Sequence, residues 1–169
     1  MKIKGITFCR IGLSNTMGQV QIKAKIDYSA YQVFKNPDLL IENNAFEVLK
    51  GRNIYDILRY QDVHNFAVSE RLKEALESNG VTGWSSYPIT IEGIDEKYYG
   101  FWVTGQGGPV TKFDKDGNVP QFKPIKWDTA KWDGSDIFNI ENTGIIGLTP
   151  KAVAVIQQFK VKSIEIKPL

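Results

Sequence analysis

The chain is short of the residues on which many enzymes and metal proteins depend. Of its 169 residues one is a cysteine, Cys9, and one is a histidine, His64. A single thiol excludes an internal disulfide, and a secreted protein of this size more often carries an even set, so the composition points to the cytoplasm. One histidine and one cysteine do not make a zinc-ligand set, and no metal or cofactor is expected. Nucleophile and base catalysis through His or Cys lacks its parts. Long apolar runs are missing as well: Arg10 interrupts the N-terminal one before it reaches signal-peptide length, and no stretch approaches the roughly 18 to 20 residues of a membrane span. Blocks of one charge are also missing. The 21 basic and 19 acidic residues are interspersed, with a net charge of +2. That balance argues against nucleic acid as a partner, which calls for a basic stripe.

What is present fits one α+β domain over residues 1–169, with a mostly antiparallel or mixed sheet and two short helices. The hydrophobic fraction of 42% and charged fraction of 24% are those of an ordinary globular chain. Val20, Ile22, Ala24 and Ile26 alternate with Gln19, Gln21, Lys23 and Lys25, the pattern of a half-buried strand. Lys2 to Phe8 alternates similarly, so the first 27 residues read as a hairpin or two neighbouring strands. Asn36-Pro37-Asp38 is a turn by local chemistry. Ser69 is a good N-cap for a helix with Leu72, Ala75 and Leu76 on one face, and Asn79-Gly80 ends it. Thr149-Pro150 starts a second helix, with Val153, Ile156 and Phe159 as its face. Val81 to Ile91 and Val161 to Leu169 follow as strands, with Lys160, Lys162 and Lys167 towards solvent.

These two stretches are alike at a fixed offset of 80. Ser69 meets Thr149, Arg71 meets Lys151, Leu76 meets Ile156, Val81 meets Val161 and Pro88 meets Pro168, with no gap. Asp56-Ile57-Leu58 lies over Asp136-Ile137-Phe138, so the pseudo-repeat covers 56–89 and 136–169. Only four of the 34 columns are identical, and the ordered pattern carries the comparison. Between the copies lie an aromatic strand, Lys97 to Thr104, the loop Gly105-Gln106-Gly107-Gly108-Pro109, and a hairpin from Phe113 to Val119 with Asp116-Gly117 at its turn.

Several clusters invite a chemical reading. Asp128, Asp133 and Asp136 lie close in sequence, and paired acids can serve as acid and base when a cleft splits their pKa values. The alternative to binding is thus a carboxylate-dependent enzyme using Asp133 and Asp136. Each Trp-Asp pair can equally be a turn in which the acid caps backbone N–H groups and the indole covers the core. Asp114 to Asn118 departs from the calcium-loop spacing, and Gly105 to Gly108 lacks the lysine and hydroxyl residue of a phosphate cradle. The aromatic supply is the larger signal. Tyr98, Trp102, Trp127 and Trp132 are the candidate protein-contact residues, because exposed Trp and Tyr anchor interfaces. A third reading uses exposed aromatics and lysines for weak nucleic-acid binding.

Phe66-Ala67-Val68-Ser69-Glu70-Arg71-Leu72-Lys73-Glu74-Ala75-Leu76-Glu77, followed by Gly80-Val81-Thr82-Gly83, resembles a stretch of the bacterial immunity proteins found beside polymorphic toxins. Trp132-Asp133-Gly134-Ser135-Asp136-Ile137-Phe138 is similar to a second block of related immunity-type proteins, some of which also carry paired Cys-x-x-Cys-Gly motifs. This chain has no such pairs, so no metal is carried over. The resemblance covers residues 55–104 and 126–169 and implies a cytoplasmic protein that neutralises a cognate toxin by direct binding, without catalysis. It transfers no toxin-contacting residue, and it leaves the N-terminal third unmatched.

Overall fold

The computed structural model of the chain describes residues 5–120 and 124–169. The order of elements is β1 (Cys9–Leu13), β2 (Gln21–Ala24), α1 (Ala30–Lys35), α2 (Asp38–Glu42), β3 (Ala45–Lys50), β4 (Ile57–Tyr60), β5 (Phe66–Ser69), α3 (Glu70–Ser78) and β6 (Trp84–Glu92). It continues with β7 (Ile94–Val103), β8 (Gly105–Pro109), β9 (Ile137–Glu141), β10 (Ile146–Leu148), α4 (Pro150–Ile156) and β11 (Ile164–Pro168). Six strands close a barrel in the order β2-β3-β6-β7-β5-β4, and five form a second sheet in the order β11-β1-β10-β9-β8. Pairing is mixed, mostly antiparallel, and the fold is α+β as the patterns predict. No helix among the described residues is long and apolar enough to cross a membrane.

Local chemistry explains the helices. The Ser69 hydroxyl accepts from Leu72 N–H and that of Thr149 from Ala152 N–H, so α3 and α4 each start on a side-chain cap. Gly80, at φ +62°, ends α3 with two backbone bonds, from its own N–H to the Glu77 carbonyl and from Val81 N–H to the Leu76 carbonyl. On α4 the buried residues are Ala152, Val155 and Ile156, and Phe159 falls beyond the helix. Helices α1 and α2 add to the two expected, on either side of the predicted turn at Pro37; neither has a side-chain cap.

Four expectations change. Strands β1 and β2 are neither a hairpin nor neighbours, since β1 pairs with β10 and β11 while β2 pairs with β3 and β4. The Lys2 to Phe8 alternation lies partly outside the described residues. Strand β2 is also more buried than half, because Gln21 is covered along with Ile22 and Ala24 and only Lys23 is partly exposed. The glycine-rich loop is the strand β8, parallel to β9. A Cβ on Gly105 would stand 2.1 Å from the Ile137 carbonyl oxygen, and one on Gly108 would stand 2.1 Å from that of Asp128, so these glycines serve close packing. Phe113 to Val119 holds a turn at Asp114 and no strand; Gly117, at φ +79°, supplies its positive angle.

The offset of 80 holds in the strand registers. Ile57 faces Val68 across β4 and β5, as Ile137 faces Leu148 across β9 and β10. Tyr87 faces Gly100 across β6 and β7, and Lys167 faces Arg10 across β11 and β1. Gln21 sits beside Arg59 in parallel pairing, and Gln106 sits beside Asn139. By register, β1 therefore corresponds to β7 and β2 to β8. The chain is two equivalent halves in tandem, and they exchange their first strands: β7 completes the sheet of the first half, and β1 that of the second. Equivalent residues also share the core. Ile57, Val68, Leu72 and Leu76 meet their counterparts Ile137, Leu148, Ala152 and Ile156 in one cluster between the halves. Leu58 and Tyr60 fill the barrel, while Phe138 and Ile140 pack with Trp127 and Trp132 in the second half.

Candidate functional site

Asp56 and Asp136 occupy equivalent places at the junction. The Asp56 carboxylate accepts from Ser69 Oγ at 2.6 Å, from Arg71 Nε and Nη2 at 2.6 Å each, and from Lys160 N–H at 2.8 Å. Asp136 accepts from Thr149 Oγ1 at 2.8 Å, Lys151 Nζ at 3.2 Å and Thr82 N–H at 3.1 Å. Each acid thus ties the start of its own helix to the loop that follows the other half's helix. Burial opposes ionisation at both. The hydrogen bonds from Arg71, Ser69 and Lys160 at one, and from Thr149, Thr82 and Lys151 at the other, prevail and hold both carboxyls below the usual carboxylate range.

The remaining acids of the Trp-Asp cluster are similarly engaged. Asp128 accepts from Ala130 N–H at the start of a 3₁₀ turn, Thr129–Lys131. Asp133 accepts from Ser135 N–H at 2.9 Å and, through its other oxygen, from Gln106 N–H at 2.8 Å. Its own N–H donates to the Gln106 carbonyl, which covers the free edge of β8. Burial opposes ionisation of Asp133 too, and the bonds from Ser135 and Gln106 outweigh it. Asp133 and Asp136 are therefore both lowered, so neither holds a proton to donate at neutral pH. Neither is the raised carboxyl that a general acid calls for.

The four candidate contact aromatics separate. Tyr98 is buried in the barrel at 4% exposure, donates to the Tyr55 carbonyl at 2.7 Å and touches only the wall of the cleft beside Asp56. Trp127 and Trp132 are half-buried against Phe8 and Phe138, and the Trp132 indole N–H donates to the Ser135 carbonyl. They cover core, as the turn reading of Trp-Asp holds. Trp102, near the end of β7 and on the same face of the strand as Tyr98, is half-buried and lines an open depression. His64 packs in the β4–β5 turn against Tyr31 and Phe34, and the free Cys9 is partly buried in β1 against the shared core.

The depression at Trp102 is a groove of about 490 Å³ lined by Val103 and Thr104 at the end of β7, by Gln106 of β8, and by Asn139, Glu141 and Thr143 of β9 and the turn after it. Asn139 Nδ2 reaches the Val103 carbonyl at 3.4 Å, while Asn139 Oδ1 is sealed from solvent with no hydrogen-bond donor. A second cleft of about 450 Å³ lies beside Asp56. Four of its charges pair with one another, Arg71 with Asp56 and Lys97 with Glu70 at 3.2 Å. Among the described residues no group of three or more His, Cys, Asp or Glu side chains is placed to hold a metal ion. Sequence reasoning named Trp102 and passed over Asn139, although the offset of 80 lays Asn139 on Arg59, a small amide on a long cation. No family model matches the chain, and no curated protein matches it.

Proposed function

We propose that this chain is a non-catalytic, cytoplasmic protein-binding protein of the immunity type, which neutralises a cognate bacterial toxin by direct contact. The observation that carries this reading is the contrast between its closed and open polar groups. The acids of the Trp-Asp cluster are used up in caps and edge protection, whereas the groove at Trp102 keeps an indole partly exposed beside a buried acceptor with nothing to bind. Such a half-buried aromatic beside unsatisfied polarity is what an interface anchor needs. The blocks that resemble immunity proteins then serve as scaffold, because Ser69, Arg71 and Asp136 all bond inward.

Co-expression with the product of the adjacent gene is the test. A stable complex and protected cells are expected, with Trp102→Ala weakening the complex by about 2 kcal/mol, the level of an interface hot spot. Absence of binding to every product of its own locus would refute the reading.

A further inference from the structure

Strand β6 leaves part of its outer edge open. The Gly83 carbonyl accepts from Thr104 N–H, which turns the odd-numbered main-chain groups of β6 towards β7 and the even-numbered ones away. On that outer side β3 pairs only with Thr90 to Glu92, and Asn44 Nδ2 donates to the Pro88 carbonyl at 3.1 Å. Among the described residues nothing bonds the outward N–H and C=O of Trp84 and Ser86. The second half closes the corresponding place. Val81, Trp84 and Ser86 lie over Val161, Ile164 and Ile166 at the offset of 80, and Trp84 faces Val103 as Ile164 faces Leu13. There the Ile164 N–H donates to the Val161 carbonyl at 3.1 Å. In the first half the Val81 carbonyl accepts from the Trp84 indole, Nε1, at 2.8 Å, so the main-chain N–H of Trp84 is left over.

We propose that the partner protein docks an extended segment here, added as a strand to the edge of β6 from Trp84 to Ser86. The inference rests on the protein-binding reading and names the kind of contact. Outward N–H and C=O groups at strand spacing recognise a peptide backbone, because an extended chain presents the same groups at the same repeat. Soluble proteins blunt such edges, and β6 does so on either side of this stretch: Pro88 has no N–H, and the Gly83 carbonyl is taken. A groove of about 490 Å³ gives the segment room, lined by Val81, Trp84, Ser85 and Ser86 and, from α3, by Lys73 and Glu77. Those two charges pair with each other at 2.7 Å, so the wall asks for no particular charge. The indole is held rigidly for contact, since Trp84 stacks on Phe101 at 5.3 Å and Phe101 on Phe66 at 5.1 Å. Ser85 also faces Trp102 across β6 and β7, which puts the edge at the same end of the strands as the groove already assigned to the partner.

The test selects binders to the full-length protein from a library of random linear dodecapeptides and titrates the selected peptides into isotope-labelled protein. Saturable NMR shifts of the Trp84 and Ser86 main-chain amides are expected, with their hydrogen exchange slowed about tenfold or more. Methylating the peptide nitrogens one at a time should weaken binding at every second position, because alternate amides face β6. Ser86→Pro removes an N–H that points away from β7, as Pro88 already does two residues on, so it should keep the fold and weaken binding about tenfold. Should that variant not fold, Trp84→Ile takes the residue of the equivalent place, returns the Val81 carbonyl to the main-chain N–H, and should also weaken binding about tenfold. No selected peptide, binders that leave both amides unmoved, a methylation scan without alternation, or undiminished binding by a folded variant would overturn the proposal. A concentration-dependent dimer that Ser86→Pro abolishes would also overturn it, by giving the edge to a second copy. No toxin enters this selection, so its failure leaves the co-expression result standing, and a failed co-expression leaves the selection readable.

Discussion

The equivalent aspartates make a matched pair of experiments, Asp56→Asn and Asp136→Asn. Each change keeps the shape and removes the charge, so the donors around it face an amide with one acceptor oxygen in place of two. At Asp56 the side chain is 2% exposed and receives four bonds of 2.6 to 2.8 Å. Arg71 is 63% exposed, so its share is screened by solvent and discounted. Ser69 Oγ and Lys160 N–H remain, and two short bonds to a charged acceptor put the loss at about 3 kcal/mol. Around Asp136 only the Thr149 bond is short, at 2.8 Å, and the others run from 3.1 to 3.3 Å. The expected loss there is about 1.5 kcal/mol. Guanidinium denaturation should rank the variants wild type, Asp136→Asn, Asp56→Asn, with melting points separated by about 3–6 °C between the two variants. Both carboxyls are depressed in the fold, so their contribution is complete above the unfolded pKa of about 3.9 and is lost as pH falls through the folded value. The gap between wild type and Asp56→Asn should therefore close in acid. Equal losses at the two sites, or a loss at Asp56 below about 1 kcal/mol, would refute the reasoning from bond length and burial.

Other perturbations test the exchanged strands and the packing. Cutting the chain at Gly93, an exposed turn residue, should give fragments 1–92 and 94–169 that lack a folded NMR spectrum alone and regain it on mixing, because each holds a strand the other needs. A folded spectrum from either fragment alone would contradict the exchange. Gly100→Ala would place a Cβ 2.1 Å from Tyr87 Cζ, so a loss of about 3 kcal/mol is expected by denaturation. Adding Tyr87→Val should recover part of it if the clash is the cause. Ser69→Ala and Thr149→Ala should each cost about 1 kcal/mol of helix capping, with Ser69→Ala the larger because its hydroxyl makes the shorter bond to its aspartate, 2.6 Å to Asp56 against 2.8 Å from Thr149 to Asp136.

Local chemistry was legible in the sequence where it acts locally. Ser69 and Thr149 announce their helices and Asn79-Gly80 ends one, because each bonds within a short stretch of chain, while Asp56 and Asp136 mark the repeat through the helix starts they hold. Helices α1 and α2 carry no such signal, since Ser29 and Pro37 make no side-chain cap. The glycines of β8 read as a loop because the reason for them, the carbonyls of Ile137 and Asp128, is distant in sequence. Equivalence of β1 with β7 was hidden for another reason. The first half inserts α1, α2 and β3 between β2 and β4, so the offset that aligns β4 with β9 does not align β1 with β7. The groove at Asn139 depends on that hidden part, because β7 and β8 are joined by Thr104 alone where β1 and β2 are joined by a longer connection.

Exchange of the first strands also sets a timetable. Every strand of the barrel lies between Gln21 and Val103, so the barrel can close while the rest of the chain is still being synthesised. Strand β1 is made first and waits longest, since its partners β10 and β11 span Ile146 to Pro168. Sequence separations of this size slow folding, and an unpaired apolar strand is exposed to wrong partners meanwhile. The pairing thus predicts two stages, with the barrel closed before β1 finds β10 and β11, and pulse-labelled hydrogen exchange should show barrel amides protected before those of β1.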